Sequence, residues 1–467
     1  SKTMGKILNK TGITGPLGLK LVETLVGTGV DTGLDWIYSG LFGMEFNFGE
    51  SLRRNAFANA LTAFISDPVD AVTGTYVIHT TDFILASVPM SLQLDRAYYS
   101  TSGKSSVLGW GWSFPYASRI YRDTQDIEHI RLHLEAITGH SLCFENEDGR
   151  WINQCRGTAR FRLAVQEDAG CPEQETFLLT DVVEHTLCAY DSQGRLSYVE
   201  YPNNQRLTFA YGEEGLKQIT TPLGNVLEVE CSKGHILQIT DEIGRRTQYR
   251  YAGDYLVDVV HTDEGITHYE YDENGHIISV IDQNGSRYLE NEYDEKGRIT
   301  RQGFASGVYQ TFAYDDAHRR NTIYYSETGK TEVYEYNDQL LRERKVHEDG
   351  TCESYTYSDD NLKIGETSRS GLQKEWGYDA FGRTIREKSP DGYVVSYAYD
   401  ENHDLVHTWD SDGWESIYVY DDAHNQILTR KKIADGKWQE VSKEYDFRGR
   451  CILEKNALGN KTVREYN

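Results

Sequence analysis

From about residue 181 to the end of the chain, apolar and polar residues alternate in short runs separated by turn residues. Between Gly382 and Asp400 the pattern is a run at 383–388, a turn at Asp391-Gly392 and a second run at 393–399. Strand side chains alternate between two faces, so Tyr393, Val395, Tyr397 and Tyr399 share one face. Asp-Gly between alternating runs signals a hairpin. Comparable turns lie at Asp282-Gln-Asn-Gly285, Glu348-Asp-Gly350, Ser411-Asp-Gly413 and Asp435-Gly436. The front of the chain reads differently. In residues 1–65, which are Gly-rich and apolar, Leu52, Ala56, Ala60 and Phe64 form one stripe widened by Phe57 and Leu61, which predicts a helix over 51–65. Residues 66–180 hold strand-like runs and Trp110, Trp112 and Trp151.

The hairpin recurs. Tyr stands at 190, 211, 251, 271, 293, 314, 336, 357, 378, 399, 420, 445 and 466, mostly 20 to 22 residues apart, with Cys231 in the one skipped place. The long step from 420 to 445 accommodates an insertion around Ile433 to Gly436. One hairpin cannot stand alone; fourteen in register supply each other's neighbours. A further aromatic precedes the register residue by two at Phe209, Tyr249, Tyr269, Phe312, Tyr334, Tyr355, Trp376, Tyr397 and Tyr418. Stacked in register these make ladders across the strands, with each cross-strand pair contributing roughly 0.2–1 kcal/mol. The expected product is mainly β: one large curled antiparallel sheet from 181 to 467, preceded by a front domain at 66–180 and a small helical region at 1–65.

The turn after the register tyrosine has its own chemistry. The fullest copies are Tyr190-Asp191-x-x-Gly194-Arg195, Tyr293-Asp294-x-x-Gly297-Arg298, Tyr378-Asp379-x-x-Gly382-Arg383 and Tyr445-Asp446-x-x-Gly449-Arg450; Tyr271-Asp272-x-x-Gly275 lacks the Arg. Asp caps the backbone N–H groups ahead of it, and Gly suits a position of positive φ. The spacing permits Arg to return to the Asp carboxylate. His318, His403 and His424 stand where Gly is expected and read as turn fillers, since His tolerates positive φ better than most residues.

Composition narrows the function classes. With 33 Tyr, 15 Phe, 8 Trp, 42 Gly and only 8 Pro, the chain is β-rich despite a mean hydropathy of -0.61. A net charge of -25 argues against nucleic acid as a partner, because phosphate neutralisation needs clustered Lys and Arg. The seven Cys (143, 155, 171, 188, 231, 352, 451) form no Cys-x-x-Cys pair, which indicates neither a zinc framework nor a disulfide scaffold and fits a reducing cytoplasm. The apolar stretch 15–30 is interrupted by Lys20 and Glu23, so no stable membrane span is expected. No nucleophile elbow, His-Glu-x-x-His helix or phosphate-binding Gly loop is present, and no Asp-rich turn has the EF-hand pattern. The expectation is no catalytic residue, no cofactor and no metal.

The Tyr-Asp-x-x-Gly-Arg motif resembles the YD repeat of bacterial Rhs proteins, toxin-complex shell proteins and teneurins. Asp67-Pro-Val-Asp-Ala-Val-Thr-Gly74, Thr81-Asp-Phe83, Leu94-Asp-Arg-Ala-Tyr98 and Leu108-Gly-Trp-Gly-Trp112 resemble the domain that precedes the repeats in Rhs effectors. The two matches cover about 66 to 467. The resemblance implies a hollow β-cocoon around a C-terminal toxin, made in the cytoplasm of a bacterium and then secreted by a type VI spike for use against competing cells. Implied partners are the toxin cargo, the remaining shell repeats, spike proteins, a chaperone and an immunity protein, with residues 1–65 as a plug. Family shells end in an Asp-Pro-x-Gly type motif at the releasing protease. Here Asp67-Pro68 is the only Asp-Pro, so neither protease nor toxin is assigned to this chain. The chain starts at Ser1, has its first Met at position 4 and stops inside a repeat, so it reads as a piece of a longer product with an incomplete shell.

A second reading competes: a YD-repeat surface protein that adheres or binds carbohydrate through its tyrosines. Buried ring packing with the hydroxyl bonded to a neighbouring turn is the simpler account of the ladder. The Trp110-Gly-Trp112 cluster is expected to pack the front domain onto the first shell turns.

Overall fold

A computed structural model describes residues 64–65, 69–85, 92–122, 131–135, 141–148, 150–154, 159–168 and 171–466. The chain divides into two compact units, Ser1–Phe46 and Asn47–Asn467, of which the first lies outside the described residues. The helix expected over 51–65 also lies outside them, except for its last two residues. These correct the expectation: Phe64–Ile65 is a strand paired with Val69–Asp70, so the backbone there is extended. Among the described residues there is no α-helix, only 3-10 turns at Pro115–Ala117 and Pro202–Asn204.

Every strand from Arg119–Arg122 to Lys461–Val463 pairs antiparallel with the next one along the chain. This pure meander follows from the sequence pattern, since each alternating run is tied to the next by a turn too short for any other connection. Its end strands are not paired with each other among the described residues. The bridge Arg119↔Arg195 ties its first strand to the turn that follows Tyr190.

The curl has a local cause that recurs with the repeat. At the register tyrosine the strand leaving the turn carries one extra residue. Tyr293 faces Ile299 while Glu292 faces Arg301, leaving Thr300 unmatched; Tyr399 faces Leu405 while Ala398 faces His407, leaving Val406 unmatched. The same irregularity falls beside Tyr190, Tyr251, Tyr271, Tyr378 and Tyr445. A bulge bends its strand and increases twist. Placed at one repeat position along one edge, it bends the sheet the same way each time.

The core runs as rows across the strands. Leu196, Leu216, Ile236, Leu256, Ile277 and Ile299 open the strands that leave successive turns, and all are buried. Val199, Ile219, Ile239, Val259 and Val280 form a second buried row, and Phe209, Tyr249, Tyr269, Phe312, Tyr334 and Tyr355 a third. Each buried Leu or Ile contributes about 1.5–3 kcal/mol. Beyond Tyr355 the rows continue half-exposed, through Trp376, Tyr397 and Tyr418.

Candidate functional site

The recurring chemistry of the described residues lies in the turns. In the turn after Tyr190, the Gly194 N–H donates to the Asp191 carbonyl (2.7 Å) and the Asp191 N–H to the Arg195 carbonyl (2.8 Å). Asp191 Oδ1 accepts the N–H groups of Gln193 (3.0 Å) and Arg195 (2.8 Å). Its Oδ2 accepts from Arg195 Nε at 2.9 Å. The same arrangement holds Asp294 with Arg298, Asp379 with Arg383 and Asp446 with Arg450, each Nε–Oδ2 distance being 2.7 Å. In the Arg-less copy, His276 Nδ1 lies 3.0 Å from Asp272 Oδ2. Gly194, Gly275, Gly297, Gly382 and Gly449 have φ between 71° and 86°. Burial works against ionisation of Asp294 and Asp446, but the N–H groups and guanidinium that each carboxylate accepts hold it below its ordinary value.

Adjacent repeats are joined through the register tyrosine. The Tyr211 hydroxyl donates to the Leu196 carbonyl (2.9 Å), Tyr251 to Ile236 (2.7 Å), Tyr271 to Leu256 (2.7 Å), Tyr378 to Lys363 (2.9 Å) and Tyr399 to Thr384 (3.0 Å). Tyr445 reaches the Gln426 carbonyl at 3.2 Å, so the bond survives the insertion. Cys231 makes it with a thiol, Sγ lying 3.1 Å from the Leu216 carbonyl, and burial pushes that thiol up to about 11. Burial likewise pushes the Tyr211 and Tyr378 hydroxyls up to about 12, which keeps them protonated donors. The turn arginine covers the ring: Arg195 lies 4.5 Å from the centroid of Tyr211, Arg298 4.0 Å from Tyr314, Arg383 4.2 Å from Tyr399 and Arg450 4.7 Å from Tyr466. Each Arg is therefore bonded to its own Asp and stacked on the next repeat's tyrosine. Sequence reasoning missed this second contact; a planar residue recurring just after each turn glycine was its only signal.

The front residues run along the first part of this turn row, broadly in reverse order. Gly194 O accepts from Ile120 N (3.0 Å), Val107 O from Ile236 N (2.8 Å), Asp254 O from Trp110 N (2.9 Å) and Gly74 O from Ile299 N (2.9 Å). Ser100 Oγ donates to Gly297 O at 2.8 Å, and Asn321 Nδ2 to the carbonyls of Ala71 and Val72. Trp112 packs on the shell, but against Tyr269 and Tyr271 and not the first turns; its Nε1 donates to the Tyr271 hydroxyl at 2.9 Å. A buried ion pair fixes this strap. Arg96 Nε lies 2.7 Å from Asp82 Oδ2, with both side chains nearly inaccessible, while Tyr249 donates to Asp82 and Arg96 to Tyr269.

Further along, the YD-turn edge meets the opposite edge of the first repeats. Asn203 and Asn425, 222 residues apart in sequence, exchange side-chain amide hydrogen bonds of 2.9 and 2.6 Å. A Cβ on Gly449 would lie 2.5 Å from Asn203 Nδ2. His185 stacks on His424 with ring centroids 3.6 Å apart, and both rings reach the Asp404 carboxylate. Within the unit Asn47–Asn467 the strip thus makes a revolution and seats its later turns against its beginning.

The three turn histidines prove unalike. His403 and His424 have positive φ (71° and 63°), but at 315–320 that conformation falls on Arg319 (52°) and not on His318. The bulge is missing there, Tyr314 facing Asn321 and Asp315 facing Arg320 in plain register, so the turn is one residue longer. Two shallow clefts of about 230 and 340 Å³ lie where the strap meets the turns, one lined by Asp82 and Arg245, the other by Trp110 and His276.

Family models match three stretches: a domain of unknown function (DUF6531) at residues 66–151, the teneurin YD-shell at 179–291 and the RHS repeat at 378–408. The last two descriptions are those of Rhs/YD-repeat proteins, which this chain resembles. It is 23% identical over 330 residues to double-stranded DNA deaminase toxin A of Burkholderia cenocepacia (strain H111), covering 62% of this chain and 21% of that protein. It is 24% identical over 318 residues to the probable deoxyribonuclease RhsB of Dickeya dadantii (strain 3937), covering 67% and 20%. The chain spans about a fifth of the length of the curated relatives it matches. Among solved structures, TcdB2-TccC3-Cdc42 aligns with a TM-score of 0.41 at 13% identity, over 91% of this chain and 25% of that one.

Proposed function

We propose that this chain is part of the wall of an Rhs-type shell that encloses a toxic polypeptide and keeps it from the producing cell until delivery. One observation carries the reading: an uninterrupted antiparallel strip curls until the turns at 400–449 seat on those at 182–204. A strip that winds onto itself in this way bounds a space. Similarity to a deaminase toxin and a probable deoxyribonuclease supports a toxic cargo. On this reading the chain itself is wall and not enzyme. Type VI delivery, use against competing bacteria, and the spike, chaperone and immunity partners belong to the same proposal, as does cytoplasmic assembly before secretion. So does the assignment of the motif residues at 190–195, 271–275, 293–298, 378–383 and 445–450 as structural turns.

Carbohydrate stacking by the register tyrosines fits less well, because their hydroxyls are donated to carbonyls and several rings lie under Arg. Limited proteolysis of the full-length gene product tests the proposal. The segment after the repeats should resist protease in the native particle and be digested once the shell is unfolded. Equal digestion in both states would overturn it.

A further inference from the structure

Where the later turns seat on the first repeats, three metal-competent side chains converge from distant parts of the sequence. His185 lies in the turn 182–185; Asp404 and His424 come from YD turns of the later repeats. Their donor atoms all lie within 4.8 Å of one another. Asp404 Oδ1 is 3.2 Å from His185 Nε2, and Asp404 Oδ2 is 2.9 Å from His424 Nδ1. We propose that this seam is a divalent transition-metal site, in which the two imidazoles and the carboxylate would take zinc(II) or an ion of similar preference.

The donor set suits the ion. Two imidazoles and a carboxylate are typical zinc ligands, and a tetrahedral ion with bonds of about 2.0–2.2 Å keeps its donor atoms roughly 3.3 Å apart. Both carboxylate-to-imidazole spacings are already close to that separation. Asp404 is nearly buried, while His185 and His424 remain 17% and 27% exposed, which gives an ion a way in and leaves its fourth position to water. The rings now stack 11° from parallel, so binding requires them to tilt until both lone pairs point at one ion.

His185 and His424 both sit in turns at positive φ, 54° and 63°, which fixes where each ring leaves the backbone. His403, one repeat earlier, shares that backbone but not the cluster: its Nδ1 faces Arg383 at 3.1 Å and its ring packs on Phe381. An ion held here would tie the first repeats to those one revolution later, clamping the wall where no strand pairing joins the two.

Equilibrium dialysis of the whole chain against zinc chloride, with bound metal measured by mass spectrometry, tests the site. Asn tolerates positive φ, so His185→Asn and His424→Asn remove a ligand and keep the turn; His403→Asn is the matched control. The wild type should retain about one zinc per chain and show the visible absorption of four-coordinate cobalt(II) when cobalt(II) replaces zinc. Affinity should fall at least about tenfold in either ligand variant, as expected for loss of a metal ligand or its immediate support, and persist in His403→Asn. Should a ligand variant fail to fold, Asp404→Asn is judged by the same criterion. Equal binding by wild type and ligand variants, or equal loss in His403→Asn, would overturn the proposal.

Discussion

The repeats between Tyr190 and Asn321 and those between Tyr336 and Tyr466 are written with one motif, yet they are built into different surroundings. In the first set the strap formed by residues 69–85 and 92–120 crosses the turn row, and the residues opening the strands are mostly Leu or Ile, fully buried at 196, 236, 256, 277 and 299. In the second set the corresponding places hold Arg342, which is still buried, and then Lys363, Thr384, Leu405, Gln426 and Cys451, all half-exposed. The carbonyls of Leu196 and Thr384 nonetheless accept the same tyrosine bond. The ladder is therefore a property of the motif, whereas the core depends on what lies across it. The turn glycine shows the same split. A Cβ on Gly194 would sit 1.8 Å from the Ile120 carbonyl, but on Gly382 it would meet only Leu362 Cδ1 at 3.8 Å. Where the backbone does not cross, His403 and His424 take the glycine's place.

The largest effect should come from the ion pair that pins the strap. Arg96→Ala leaves Asp82 buried without its partner, and urea denaturation should show a loss of about 3–5 kcal/mol. A loss below about 1 kcal/mol would mean the strap adds little to the first set of repeats.

The glycines sharpen the contrast next. Both Gly194→Ala and Gly382→Ala force a side chain into positive φ, at about 1–2 kcal/mol. Only Gly194→Ala must also displace a crossing backbone, so its total should reach roughly 2–4 kcal/mol. Equal losses would show that the covering segment does not set the demand for glycine.

Removing the ladder hydroxyl should matter less. Tyr251→Phe, under the strap, should cost about 1–2 kcal/mol, and Tyr399→Phe, outside it, about 0.5 kcal/mol, since an unmet carbonyl is costly only where water cannot reach it. The reverse order would break the comparison.

Acid should have the smallest effect per turn, and the sign follows from the depressed carboxyls of Asp294 and Asp446. A group depressed by folding stabilises fully above its unfolded value and loses that contribution as pH falls through its folded one. Stability should therefore decline as pH drops below about 4, and less steeply in Asp294→Asn and Asp446→Asn. Pairing each variant with wild type in acid melts checks this.

Much of the fold was legible because its rules are local. Alternation, the Asp-Gly turns and the register tyrosines are all decided within some twenty residues, and the Arg return to Asp needs only a span of four. The bulge beside most of the register tyrosines was not legible, since one extra residue leaves no mark on an alternating run. Nor was the strap's path, because Val107 meets Ile236 and Trp110 meets Asp254 through backbone atoms, which carry no side-chain signature. His424 reads as a turn filler from its repeat position. Its relation to His185 exists only after the sheet has wound round, and no periodicity of one repeat encodes that. The helix expected over 51–65 rested on a stripe that the strand at Phe64–Ile65 cuts short.

The central claim is that the strip returns on itself, and spin labels at Asn203 and Asn425 measure that return by pulsed dipolar spectroscopy. The account predicts a short separation, below about 20 Å once label length is allowed for. At about 4.8 Å per strand, a strip that did not wind would hold the two labels on the order of 100 Å apart. A distribution centred at such long distances would contradict it.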